Sequence, residues 1–182
     1  MSAAPSRRAP VIAGIVGVAV LALVLLFVVS PSGGESKVTS PLLGKLAPEL
    51  AGTTLAGDSF NLDSERGQWV LVNFFATWCP PCVAEHPELV KLDERSSSTG
   101  LSVVSVAFDD SSTNVEKFFA DNGGDWPVLT SDTGTVSLDY GVKGLPESFL
   151  IDPAGTVVAK FEGGITAESV QQYVARSTAG GS

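Results

Sequence analysis

The sequence VLVNFFATWCPPCVAEHPEL, at Val70 to Leu89, carries most of the information about the architecture. Its first six residues are almost continuously apolar, which is typical of a strand covered on both faces. A helical pattern begins at Pro80 and continues to about Arg95, and the apolar residues assigned to its buried face are Val83, Leu89, Val90 and Leu92. A second apolar run, LSVVSVAF at Leu101 to Phe108, follows it. Strand, helix and strand in this order predict a βαβ unit with two parallel strands.

Weaker patterns on both sides complete an α/β domain. Leu50 to Leu62 contains turn signals at Gly52 and Gly57 and predicts a β-hairpin before the βαβ unit. The elements predicted after the unit are a helix at Thr113 to Asp121 capped by Ser112, a short apolar stretch at Val128 to Thr130, a helical turn at Val136 to Tyr140, strands at Ser148 to Ile151 and Thr156 to Phe161, and a helix at Ala167 to Arg176 capped by Thr166.

Cys79 and Cys82 are the two cysteines of the chain, and only two residues separate them. A loop this short closes little chain entropy, so the pair is a poor structural staple. Two cysteines and the single histidine, His86, do not complete a four-ligand zinc site. Redox chemistry is the interpretation that remains, and we predict neither a metal nor a cofactor.

The position of the pair, after a strand and at the start of a helix, suits this chemistry. A thiol must ionise to attack a disulfide, and the backbone N–H groups of a first helical turn favour negative charge on Cys79. Pro80 is tolerated because its missing N–H has no helical partner, and Pro80 and Pro81 stiffen the turn. We therefore predict that Cys79 is an exposed nucleophile of low pKa and that Cys82 is the more buried resolving thiol.

The N-terminal region predicts a membrane anchor. Val11 to Val29 is apolar throughout, and Arg7 and Arg8 precede it. A helix of this length spans about 29 Å, and the arginines should stay cytoplasmic. A cleavable signal peptide is the alternative. Either way the cysteines lie outside the cytoplasm, in a compartment that permits disulfides.

Four regions follow from these patterns: residues 1–30 as cytoplasmic stub and anchor (or signal peptide), 31–45 as a flexible linker rich in Ser, Gly and Pro, 46–177 as the redox domain, and 178–182 as a disordered tail. The formal net charge of −9 and a pI of about 4.4 argue against nucleic-acid binding. We expect a monomer.

Two segments resemble the thioredoxin-like family, and more closely its TlpA/ResA/CcmG (DsbE) branch. They are the one quoted above and GVKGLPESFLIDPAGTVV, at Gly141 to Val158. The resemblance covers roughly Leu46 to Arg176 and implies a thioredoxin fold, with a central mixed β-sheet flanked by helices and the hairpin as an extension. It also implies that Pro146 is a cis-proline facing the cysteines, and that the backbone of Leu145 pairs with an extended substrate.

The resemblance also assigns roles to polar residues. Thioredoxin has a buried Asp six residues before its first active cysteine, where this chain has Asn73, which takes up no proton. Glu85 is then the candidate to deprotonate Cys82, as in ResA-like proteins, or else a solvated helix glutamate. Glu147, after Pro146, steers a basic partner, tunes the thiols, or is a solvated loop charge.

The remaining candidates surround the cysteines. We expect Trp78 to cover one side of the Cys79 sulfur and Pro80 and Pro81 to contact the substrate. His86 is expected to be a surface or packing residue rather than a catalyst.

The function implied by the resemblance is reduction of disulfides outside the cytoplasm. The target would be apocytochrome c, and a membrane thiol donor of CcdA/DsbD type would re-reduce the protein. Oxidation or isomerisation of disulfides in secreted proteins is the alternative, because the Pro-Pro dipeptide departs from the CEPC and CPTC patterns of the branch. A copper-handling role of Sco type is remote, since it needs a CxxxC pair.

Overall fold

The structure is a computed structural model that describes Gly17, Val20, Ser36–Lys37 and residues 40–130 and 133–179. The chain divides into two compact units, Met1–Gly34 and Glu35–Ser182. Gly17 and Val20 are helical, and the rest of the predicted anchor at Val11 to Val29 lies outside the described residues. None of the helices within those described residues has the length and apolar character needed to cross a membrane.

The second unit alternates strands and helices. Its strands are β1 (Ser36–Lys37), β2 (Ala51–Thr53), β3 (Ser59–Asn61), β4 (Trp69–Phe75), β5 (Leu101–Ala107), β6 (Val128–Leu129), β7 (Glu147–Ile151) and β8 (Val157–Glu162). Its helices are a 3-10 helix at Leu62–Glu65, then α1 (Pro80–Glu94), α2 (Ser96–Thr99), α3 (Ser112–Asn122), α4 (Thr133–Asp139) and α5 (Ala167–Ala179).

Six strands form one mixed sheet in the order β1-β8-β7-β4-β5-β6. β4 and β5 are parallel, with Val72 opposite Val104, which confirms the βαβ prediction. β7 pairs antiparallel with β4, and β8 pairs antiparallel with β7. The predicted hairpin is confirmed as β2 and β3, and it joins the edge of the sheet through a bridge between Thr54 and Leu129. This is the thioredoxin-like architecture with an N-terminal hairpin.

The central strand β4 divides its side chains between two apolar cores. Leu71 and Phe75 enter the core beneath α1, α3 and α5. Val70, Val72 and Phe74 enter the core on the other face, which the hairpin region and Tyr140 cover. Successive side chains of a strand point to opposite faces, so the continuous apolar run is explained by burial on both sides.

The structure corrects the predicted edges of the domain. The linker predicted at 31–45 contains β1, which pairs with β8, and Gly44 N–H donates to the Val157 carbonyl at 2.9 Å. These backbone bonds hold Ser36–Lys37 and Gly44 on the sheet edge, so the prediction of a flexible linker is wrong at these residues. The tail predicted at 178–182 is helical to Ala179, and 180–182 lie outside the described residues.

Two local predictions are also wrong. The N-cap of α3 is Ser111 and not Ser112, because the Ser111 hydroxyl accepts the Asn114 N–H at 3.2 Å. Val83, assigned to the apolar face of α1, is exposed. The buried face is instead formed by Cys82, Glu85, His86, Leu89 and Leu92.

Gly124 offers a test of this packing. Its φ is +102°, and a Cβ there would lie 2.6 Å from the Trp126 ring. We expect Gly124→Ala to lower the free energy of unfolding by about 2–3 kcal/mol, through backbone strain and overpacking. The matched control is Gly134→Ala in α4, where a Cβ meets open space. Urea unfolding followed by tryptophan fluorescence should show the control neutral or stabilised, and equal behaviour of both variants would contradict the packing described.

Candidate active site at the Cys79–Cys82 disulfide

Cys79 is the N-cap of α1 and forms a disulfide with Cys82. The Cys82 N–H donates to Cys79 Sγ at 3.3 Å, and Pro80 and Pro81 occupy the first two helical positions. The strand β4 ends four residues before Cys79. The prediction that the pair opens a helix after a strand is therefore confirmed.

Both cysteines are buried, each 4% exposed. The prediction that Cys79 is the more exposed is wrong for this disulfide form, because the bond holds both residues within the apolar core that includes Ala76 and Ile165. Exposed apolar side chains form a rim around the pair: Trp78, Pro80, Pro81 and Val83.

The Leu145–Pro146 peptide bond is cis, as the resemblance implied. β7 begins one residue later, and its Glu147 pairs with Phe74 near the end of β4. The cis-proline therefore lies at the same end of the sheet as the cysteines. Leu145 is half-buried against the core that contains both cysteines. Across the described part of the chain, no hydrogen bond engages its backbone N–H or carbonyl.

Glu85 lies on the buried face of α1, one turn after Cys82, and is 3% exposed. Its Oε1 accepts the Ile165 N–H at 3.2 Å, and Asn73 Nδ2 donates to its Oε2 at 3.4 Å. Desolvation raises the pKa of Glu85 to about 7, against the lowering effect of these two hydrogen bonds. The solvated-glutamate alternative is wrong, since the carboxyl is buried and poised to exchange a proton near neutral pH.

Asn73 and Ser148 support this carboxyl, and sequence reasoning missed the second of them. Both are fully buried and directly opposite each other on β4 and β7. Asn73 Nδ2 also donates to Ser148 Oγ at 3.0 Å. The signal that identifies the pair is a polar residue within each of two largely apolar strands, because a buried polar group needs a partner.

A turn after β5 holds the segment that leads into Cys79. Asp110 Oδ2 accepts the Thr77 N–H at 2.6 Å and the Thr77 hydroxyl at 2.7 Å. Burial alone would raise the pKa of Asp110, but hydrogen bonds from Thr77, Asn114 and Ser111 outweigh it and hold the pKa below its usual value. Trp78 Nε1 donates to the Asp109 carbonyl at 3.0 Å, and the indole is 58% exposed. The turn thus places Trp78 on the rim.

Glu147 is not a solvated loop charge. Its side chain is 3% exposed, and its Oε1 accepts the N–H groups of Lys143 and Gly144 at 3.1 and 3.2 Å. Lys160 Nζ, on β8, lies 2.8 Å from Oε2. A carboxylate that is buried and already paired with a lysine and two N–H groups is poorly placed to attract a basic partner. The prediction that Glu147 steers such a partner is therefore wrong.

His86 is a packing residue, as predicted. It is buried among the rings of Phe118, Phe119 and Trp126, and its Nε2–H donates to the Gly123 carbonyl at 2.8 Å. Desolvation lowers its pKa, against the raising effect of that bond. Among the described residues there is no group of three or more His, Cys, Asp or Glu side chains able to hold a metal ion.

Comparison with known proteins agrees with this geometry. The family model described as Redoxin matches residues 42–175. ResA of Bacillus cereus, a thiol-disulfide oxidoreductase, is 32% identical over 146 residues, which cover 80% of this chain and 84% of ResA. The thiol:disulfide interchange protein HelX of Rhodobacter capsulatus is 30% identical over 167 residues, covering 90% and 89%. A crystal structure of a thioredoxin-family thiol:disulfide interchange protein from Chlorobium tepidum superposes with a TM-score of 0.67 at 28% identity, covering 76% and 98%.

The chain belongs to the Redoxin family of thioredoxin-like proteins. Within that family it is a thiol–disulfide oxidoreductase similar to ResA and HelX, which confirms the branch that the two sequence segments indicated. The redox-active groups are the CxxC cysteines, Cys79 and Cys82.

The buried Glu85 makes stability depend on pH. Because its pKa is raised in the folded protein to about 7 from an ordinary 4.5, the folded form holds a proton that the unfolded chain releases, and stability falls as pH rises between these values. We expect oxidised Glu85→Gln to lack this loss. The free energy of unfolding of Glu85→Gln, measured relative to that of the wild type, should therefore rise by on the order of 2–3 kcal/mol between pH 4.5 and 8.

Urea unfolding at both pH values measures this difference. Glu116→Gln, an exposed acid on α3, is the matched control and should parallel the wild type. A constant difference between Glu85→Gln and wild type across this range would show that Glu85 does not hold a proton near neutral pH.

Proposed function

We propose that the protein reduces disulfides of proteins outside the cytoplasm, and that the oxidised haem-attachment cysteines of apocytochrome c are its substrates. We further propose that the apolar run at Val11 to Val29 anchors it in the membrane, with Arg7 and Arg8 on the cytoplasmic side. A membrane thiol donor of CcdA/DsbD type would then return it to the dithiol state at the same membrane.

The exchange proceeds in two steps. The Cys79 thiolate attacks one sulfur of the substrate disulfide, which forms a mixed disulfide and releases the other substrate sulfur as a thiolate that takes up a proton. Cys82 then loses its proton to Glu85 and attacks Cys79 Sγ. This breaks the mixed disulfide, releases the second substrate sulfur as a thiolate that takes up a proton, and leaves the Cys79–Cys82 disulfide. Two electrons pass from the protein to the substrate.

One observation supports this direction of electron flow: among the described residues few groups are placed to stabilise a thiolate at Cys79, which argues against the low pKa that the sequence predicted for this thiol. An N-cap side chain accepts hydrogen bonds from the second or third helical N–H, and here Pro81 removes the second. The Cys82 N–H remains, at 3.3 Å. Glu85, three residues beyond Cys82, adds negative charge near the pair when ionised. A poorly stabilised thiolate disfavours the dithiol form, and this favours a reductant over an oxidant.

The surface near the pair supports an extended protein substrate. The Leu145 backbone beside the cis bond is available for strand addition, with hydrogen bonds that are independent of side-chain identity. The exposed rim residues Trp78, Pro80 and Pro81, which flank Cys79 in the chain, offer apolar contacts to the substrate.

The reduction potential of the Cys79–Cys82 pair is the test of this proposal. Equilibration of the protein with dithiothreitol buffers should give a value near or below about −270 mV, that of thioredoxin. A value near about −120 mV, that of DsbA, would sink the reductant proposal in favour of disulfide formation. Reduction of an oxidised CxxCH peptide, compared with a CxxCA peptide, tests the substrate, and equal rates on both would remove the support for apocytochrome c.

Pro81 provides a separate test of the thiolate argument. Pro81→Ala restores an N–H within reach of Cys79 Sγ, and we expect it to lower the pKa of the Cys79 thiol and raise the reduction potential by on the order of 30 mV. Pro87→Ala is the matched control, because Pro87 lies inside the same helix, beyond its first turn, and is exposed. Thiolate absorbance at 240 nm gives the pKa, and equal potentials for the two variants would refute the argument.

A further inference from the structure

Glu147 connects the cis-proline loop to the sheet. Its Oε1 accepts two backbone N–H groups from the residues that precede Leu145, namely Lys143 and Gly144. Its Oε2 lies against Lys160 of β8, and the side chains of both residues are 3% exposed. Lys160 also contacts Glu162 at 3.1 Å and stands over the Phe149 ring at 5.4 Å. One carboxylate therefore ties the loop to a buried cation.

The sheet separates this carboxylate from the thiol chemistry. Ser148 faces the same side as Asn73, with which it hydrogen bonds, and Asn73 contacts Glu85 of α1. Neighbouring residues of a strand point to opposite faces, so Glu147 points away from α1. The apolar core on that side contains Phe149, the ring that Lys160 covers. This arrangement argues against Glu147 as a group that tunes the thiols directly.

We propose that Glu147 is a positioning residue for substrate capture: with Lys160 it fixes the Lys143–Pro146 loop so that the Leu145 backbone is presented to an extended substrate. This inference rests on the proposed strand addition at Leu145, and it does not depend on which protein is the substrate. It assigns to Glu147 a role in binding and none in the electron transfer itself.

The contacts require a carboxylate. The side-chain amide of a glutamine at 147 has one oxygen acceptor and one NH₂ donor group. The NH₂ group must therefore face either the two backbone N–H groups or Lys160 Nζ. In both orientations two donors oppose each other. Replacing Lys160 with methionine at the same time removes the second conflict, because the glutamine oxygen then accepts the two N–H groups and no cation faces the amide. The double variant should therefore recover what the single variants lose.

The experiment compares two disulfides in single-turnover exchange with the full-length protein. The first is an extended peptide with one disulfide, and the second is hydroxyethyl disulfide, which has no backbone to pair with Leu145. For Glu147→Gln and for Lys160→Met we expect about tenfold weaker apparent affinity for the peptide, little change in its limiting rate, and unchanged rates with hydroxyethyl disulfide. Glu147→Gln/Lys160→Met should return most of the affinity.

Glu162→Gln is the matched control. Glu162 touches the same lysine but is partly exposed and makes no contact with the loop through its side chain among the described residues. We expect its peptide affinity to stay within about twofold of wild type, since a partly exposed ion pair contributes little.

The other outcomes overturn the proposal. Equal losses on both disulfides would show a general structural role, and a changed reduction potential would show that Glu147 tunes the cysteines. Should the single variants fail to fold, hydrogen exchange of backbone amides in the wild type tests the proposal instead. The amides of Lys143 and Gly144 should exchange slowly. Exchange as fast as in an open loop would exclude the anchoring role. A wild type that oxidises the peptide would remove the proposed function, while the variant-to-wild-type ratios would still test the positioning role.

Discussion

The pairing of β4 with β7 is the contact on which the active site depends. β4 leads into Cys79, and β7 begins immediately after the cis peptide bond, so the antiparallel register with Phe74 opposite Glu147 places the two segments at one end of the sheet. The two segments are far apart in the sequence. A one-residue slip would turn Ser148 away from Asn73 and exchange the faces of the polar residues. Register therefore determines both the approach of the cis-proline to the cysteines and the surroundings of Glu85.

The same pairing distributes the buried charges between the two faces of the sheet. On the face beneath α1, Asn73 contacts Ser148 and the carboxyl of Glu85, whose pKa is raised to about 7, a value that suits the proposed role as proton acceptor for Cys82. On the other face, the Glu147 carboxylate has Lys160 opposite it and accepts two backbone N–H groups, an arrangement that fixes its position. The different roles that we propose for these two buried glutamates follow from their different partners.

Much of this could be predicted from the sequence, because local patterns decide it. The apolar run of β4, the helix start at Pro80 and the two-residue cysteine spacing each specify their structure within a few residues, and the resemblance supplied the cis-proline. The environment of Glu147 could not be predicted in this way. Its cation, Lys160, is 13 residues away, and the pairing depends on the register of β7 with β8. Burial of Cys79 was missed because the exposure of a residue depends on surrounding elements.

The buried polar groups of the site make folding less favourable than an apolar core of the same shape would. Glu85 is the clearest case, since desolvation dominates its pKa and an ionised carboxylate in that position lowers stability above neutral pH. An uncharged residue at 85 would be compatible with the packing of α1. A buried ionisable group that lowers stability and that the fold does not require points to a chemical role, and the reaction we propose needs a base for the buried Cys82 thiol. The position of Glu85, on the same helical face as Cys82 and one turn away, meets that need.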